Sequence, residues 1–237
     1  MTREYSFKIG RGLENKIKTP IRNQLDIIKI LLQTVQEIIN PLSDTQVIIE
    51  SAEIENIDFR IVFPNKPGET LQRIFYHVNY PDKKGETMYT IQTMAFPFKI
   101  VDEDGEMKVF FKSRSHNIEF DSFKISQILA IINIIDDNEF TWGDTWVEEL
   151  MELLFGERQS IETIDIFYVV NDFLTFDFGY LRFDNDPEHS AINHPRYHID
   201  TAMNKKATFK IGLHDLMDIN QFTDFLNNST TIRFIEK

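Results

Sequence analysis

LQRIFYHVNY (residues 71–80) and TMYTIQTMAF (residues 87–96) decide the fold class, because each is a short run rich in aromatic and β-branched residues, bounded by turn-forming residues. Further runs of the same texture lie outward on both sides. VIIESAEI (47–54) and IDFRIVF (57–63) precede the pair, and FKIVD (98–102) and MKVFFKS (107–113) follow it. Asn65-Lys66-Pro67-Gly68, Pro81-Asp82-Lys83-Lys84-Gly85 and Asp104-Gly105 separate the runs, the last being the signal of a two-residue hairpin. The pattern predicts an antiparallel meander from Gln46 to Glu119. Its outer faces are fairly polar, so one side is expected to pack on helices.

Helical spacing appears on either side of the meander. After a first strand at Glu4–Ile9, Thr19 is placed to cap a helix with Pro20 at its first position, and apolar residues follow at Ile21, Leu25, Ile28, Leu32, Val35 and Ile39. That stripe is short and ends at Asn40-Pro41, which favours core packing over a coiled coil. Ile125, Ile128, Leu129, Ile132 and Ile135 predict a buried helix over 123–135, and a second is expected from Asp144 to Gly156. Residues 160–172 fit either a buried strand or a helix, with helix preferred. Strands are expected at 174–184, 196–202, 207–213 and 231–235, with a short helix capped by Asp218 before the last. The fold class is therefore α+β: largely antiparallel sheet packed against several helices. The composition shift at DDNEFTWGDT (136–145) divides it into two intimately packed lobes, 1–137 and 138–237.

Composition excludes several functions. The chain has 237 residues, a formal net charge of −13 and no cysteine, which removes disulfides, thiolate catalysis, zinc ribbons and iron–sulfur clusters. Without an apolar leader or an apolar run long enough to span a bilayer, the expected location is the cytoplasm, with no membrane partner. The acidity argues against general nucleic-acid binding. Residues 1–34 are the exception, with seven Lys and Arg against three acidic residues. Most of the 21 phenylalanines sit at positions that read as core rather than as base-stacking platforms. The carboxylates at Asp136, Asp137, Glu139, Asp144, Glu148, Glu149 and Glu152 read as a solvated helix face before they read as mimicry of a nucleic-acid backbone.

Candidate chemistry concentrates in residues 176–200, which hold three of the six histidines together with Asp177, Asp184, Asp186 and Asp200. If 196–202 is a strand, His198 and Asp200 share one face. His194, His198 and Asp200 are then candidate metal ligands, and Asp184 or Asp186 would hold the metal or activate water. Mn, Mg or Zn suits such a donor set. Structural hydrogen bonding in a polar hairpin is the plainer explanation, and a partner surface through Glu188, His189 and Arg196 is the third. Pro81-Asp82 with Glu106-Met107-Lys108 imitates a restriction-type nuclease, but another strand separates the two pieces. Neither a Gly-x-Ser-x-Gly elbow nor a P-loop is present. His116 reads as a solvated strand end, and Asp102–Gly105 lacks the periodic carboxylates of a calcium loop.

The phrase FGYLRFDNDPEHSAINHPRYHID (178–200), followed by ATFKIGL (207–213), is similar to uncharacterised bacterial proteins found with phage-defence and mobile-element genes. The resemblance covers the last quarter of the chain. It implies a defence or immunity setting and brings no established chemistry with it. The expected function is a non-enzymatic accessory, immunity or inhibitor subunit, without a cofactor, that uses acidic surface and the 184–200 hairpin to engage a basic partner protein. Homo-oligomerisation is compatible with this. The alternatives are a metal-dependent hydrolase acting on phosphodiesters and nucleic-acid binding through residues 1–34.

Overall fold

A computed structural model describes residues 4–41, 47–48, 59–62, 72–80, 85–113, 116–138, 161–201 and 209–227. In chain order the elements are β1 (Glu4–Phe7), α1 (Arg11–Lys18), α2 (Gln24–Ile39), β2 (Val47–Ile48), β3 (Phe59–Val62), β4 (Arg73–Tyr80), β5 (Met88–Ala95), β6 (Phe98–Glu103), β7 (Glu106–Ser113) and β8 (His116–Phe120). They continue with α3 (Ser122–Asn138), α4 (Ile161–Thr175), β9 (Leu181–Asn185), β10 (Tyr197–Asp200), β11 (Lys210–Gly212) and α5 (Ile219–Phe225). The fold is α+β and, among the described residues, every strand pairing is antiparallel.

Within the runs at 71–80 and 87–96, β4 and β5 pair residue for residue from Arg73 opposite Ala95 to Tyr80 opposite Met88. They lie inside a sheet of order β11-β10-β9-β5-β4-β3-β1-β2. The expected single meander breaks in two after β5. Pro97 has no amide hydrogen to continue a ladder, and β6-β7-β8 form a separate three-stranded sheet. The β6–β7 hairpin turns through Asp104 (φ 55°) and Gly105 (φ 90°), as the Asp-Gly signal requires, and Asp102 Oδ1 accepts from the Gly105 amide at 2.9 Å.

Two compact units result, each drawn from separated stretches of chain. The first comprises 1–22, 43–96 and 178–237 and holds the large sheet with α1 and α5. Phe75, Tyr89, Ile91, Phe183, Ile199, Met217 and Phe222 form its buried core on one face of that sheet. The second comprises 23–42 and 97–177, so the expected 137/138 boundary falls within it. Its helices α2, α3 and α4 pack together, and Phe98, Phe111, Phe120 and Phe173 meet edge to face.

Two expectations are corrected by local chemistry. The long helix starts at Gln24, not after Thr19, because Asn23 and Asp26 form a reciprocal capping box, while Thr19 instead ends α1. Burial of Ile27, Ile28, Ile30, Leu31, Leu32, Val35 and Ile38 makes α2 a core helix. Residues 161–175 are helical, so the strand expected at 174–184 begins only at Leu181, after the helix end and an extended lead-in. His116 begins β8, opposite Ser113. The helix expected at 144–156, the strand at 231–235, the Asn65–Gly68 turn, Asp82 and the acidic residues Glu139, Asp144, Glu148, Glu149 and Glu152 lie outside the described residues. Among the described residues no helix is long and apolar enough to cross a membrane.

Candidate functional site

Strand alternation builds the site. Phe183 on β9 and Ile199 on β10 face the apolar core, which turns their neighbours Arg182, Asp184, His198 and Asp200 to the opposite face. Register brings these side chains side by side: His198 stands opposite Asp184 on one side and Gly212 on the other, and Asp200 stands between Arg182 and Lys210. Gly212 is required there, because a Cβ would come within 2.9 Å of the Pro195 ring.

The five polar groups form one network. Arg182 donates through Nε (3.0 Å) and Nη2 (2.8 Å) to Asp184 Oδ2, and through Nη2 to Asp200 Oδ2 (2.6 Å). Lys210 Nζ donates to Asp200 Oδ1 at 2.9 Å and contacts His198 Nε2 at 2.8 Å. His198 Nδ1 lies 2.7 Å from the Pro195 carbonyl, which only accepts, so Nδ1 carries a proton. Its Nε2, 3.1 Å from Asp184 Oδ2, accepts from Lys210 when neutral and donates to Asp184 when protonated. His198 is wholly buried and the Asp184 and Asp200 side chains are nearly so, while those of Arg182 and Lys210 are about one-fifth exposed. The two cations balance the two carboxylates.

Burial alone would push the Asp184 carboxyl up. Contact with His198 and the Arg182 guanidinium outweighs it and holds the group below the usual carboxylate range. On β5, Gln92 and Thr90 stand opposite Arg182 and Asp184. Gln92 donates to the Ile17 carbonyl of α1 at 2.7 Å and accepts from the Tyr180 hydroxyl at 3.2 Å, so α1 closes this end of the face. Burial raises the Tyr180 hydroxyl above the ordinary tyrosine range, leaving it a neutral donor.

The β9–β10 connection is ordered by its own bonds. The Asp186 amide donates to the Arg196 carbonyl (2.9 Å), and Ala191 and His194 exchange two backbone bonds around Ile192-Asn193. Asp186 accepts the His189 amide at 3.1 Å and lies 3.0 Å from that residue's ring Nδ1. Arg196 reaches Glu86 at 3.1 Å and Asn185 at 3.3 Å. Glu188 and His189 are exposed, and Ile192 at the tip is fully so.

Of the sequence candidates, the structure gathers Asp184, His198 and Asp200 into a group whose ligand atoms lie within 4.8 Å of one another. His194 is outside that group. Its ring meets His198 edge-on at 4.7 Å, and burial together with the Lys210 and His198 charges holds it below the usual imidazole range. Asp186 serves the loop. Arg182 and Lys210 are the members that sequence reasoning missed; their signal was the i±2 position of Arg182 beside Asp184 and the lysine on the following strand, legible only once the register is known.

Compared with protein-family profiles, curated proteins and solved structures, the chain matches none.

Proposed function

We propose that the protein is a non-catalytic interaction component that uses the 186–196 loop to hold a partner protein. One observation carries this: the buried carboxylates are already neutralised by Arg182 and Lys210, whereas the loop above them is braced by backbone bonds and exposes Glu188, His189 and Ile192 beside the partly exposed Arg196. A braced loop loses little entropy on docking, and a projecting apolar tip ringed by charge suits a small anchor. The net charge of −13 speeds encounter with a basic partner. The resemblance of the last quarter to uncharacterised bacterial proteins found with phage-defence and mobile-element genes puts an accessory, immunity or inhibitor role first.

The test is affinity capture from cells carrying the neighbouring genes, with wild type beside an Ile192→Asp/Arg196→Glu variant of unchanged circular dichroism. A basic protein retained by wild type, lost in the variant and weakened by salt is the expected result; equal retention by both sinks the loop as the contact. Metal-dependent hydrolysis is the second reading, favoured by the convergence of Asp184, His198 and Asp200, and it requires a cation to replace the Lys210 ammonium.

A further inference from the structure

The imidazole of His198 is oriented as a metal ligand is. Its Nδ1 donates to the Pro195 carbonyl, a bond that fixes the ring and leaves Nε2 as the coordinating nitrogen. From Nε2 the carboxylates stand 3.1 Å (Asp184 Oδ2) and 3.8 Å (Asp200 Oδ1) away, distances that bracket the roughly 3.4 Å between ligands of a tetrahedral ion bound at about 2.0–2.2 Å.

Two further atoms point to a bound group. Asp184 Oδ1 is buried without a hydrogen-bond partner, and so is the hydroxyl of Thr90, which stands directly opposite Asp184 on β5. Buried polar atoms left unpaired cost roughly 1–3 kcal/mol each, so two on adjoining strands of one face mark a place where a polar or charged species would be stabilised. Arg182 occupies the Oδ2 oxygens of both aspartates and leaves Asp184 Oδ1 open.

The cation nearest this place is the Lys210 ammonium, which touches His198 Nε2 and Asp200 Oδ1. Lysine is a point charge on a flexible four-carbon stem; both cations are about one-fifth exposed, but Lys210 bonds a single carboxylate whereas Arg182 is tied to both by three hydrogen bonds, so Lys210 is the one that withdraws more readily. While Lys210 is in place the cluster is neutral. Once it swings out, two carboxylates face one guanidinium and the remaining negative charge favours a divalent ion.

We propose that Asp184, His198 and Asp200 form a divalent-cation site gated by Lys210, which competes with the ion for His198 Nε2 and Asp200 Oδ1. The ion is one that accepts imidazole, of the Zn²⁺ class; Mg²⁺, which demands oxygen ligands in octahedral order, does not displace the lysine. The proposal goes beyond the interaction reading and stands whether or not the cluster hydrolyses anything.

The test is calorimetric titration of the chelator-stripped full chain with ZnCl₂, and separately with MgCl₂, for wild type, Lys210→Met, and both of these carrying Asp184→Asn/His198→Gln. One equivalent of Zn²⁺ should bind the wild type, and Lys210→Met should tighten it at least about tenfold, the scale on which groups around metal ligands act. The Asn/Gln pair should remove binding in either background, and Mg²⁺ should give no heat of binding. Equal Zn²⁺ affinity with and without Lys210, or binding that survives the Asn/Gln pair, overturns the proposal. Should the variants unfold, Co²⁺ added to wild type alone decides: visible bands that excess Zn²⁺ abolishes support the site, and their absence overturns it.

Discussion

On β9 and β10, Asp184, His198 and Asp200 are more than nine-tenths buried against Arg182 and Lys210, whereas on the loop between those strands Glu188 and His189 face solvent. The residue types are the same in both places. What differs is whether the backbone alternation turns a side chain onto a covered sheet face or lets it leave the sheet. On the covered face a charge has to be matched within a few ångströms, because desolvating it alone is costly. On the loop, solvent screens the exposed groups, and even His189, which contacts Asp186, stays accessible to another molecule. Asp186 marks the border: its side chain is nearly buried, yet it is spent on turning the chain at His189 rather than on the strand network.

The largest expected effect breaks the contrast from the covered side. Arg182→Ala leaves two buried carboxylates with one cation between them and should lower unfolding free energy by about 3–5 kcal/mol in urea titration. Arg196→Ala, which removes a partly exposed pair with Glu86, should cost under about 1 kcal/mol in the same experiment. Comparable losses for the two would show that the strand network is no more desolvated than the loop.

Acid should separate the regions next. The Asp184 carboxyl is held below its unfolded value, so its contribution to stability is complete above about pH 4, the ordinary carboxylate range, and is lost as pH falls through the lower folded value. Asp184→Asn should therefore flatten the acid limb of a stability-against-pH curve. An unchanged limb would place the acid-labile carboxylates elsewhere.

The smallest effect belongs to the loop. His189→Ala removes a ring that is mostly exposed, and thermal melts should show a change within about 0.5 kcal/mol. A larger loss would mean that the His189–Asp186 contact braces the loop more than its backbone bonds do.

Much of the frame was readable in the residues. The Asp-Gly hairpin at 104–105, the helix over 123–135, the capped helix after Asp218 and the strand holding His198 and Asp200 follow from turn chemistry and apolar period, which act within a few residues of chain. The α2 start was missed although Asn23 and Asp26 announce it, because Thr19-Pro20 offers a competing cap of similar local quality. Local signals could not say that the meander breaks at Pro97 into two sheets, nor that β9 leaves the end of the chain to pair with β5.

The sequence by itself determined most of the described strands and helices, the alternation that puts His198 and Asp200 on one face and Tyr197 and Ile199 on the other, and the acidic, cysteine-free character of the protein. Only the tertiary structure decided that Asp184, His198 and Asp200 meet while His194 stays outside, and that Arg182 and Lys210 neutralise them. The reason is register: contacts between strands depend on which residues of distant segments stand opposite one another, and a slip of one residue would turn every one of these side chains to the other face.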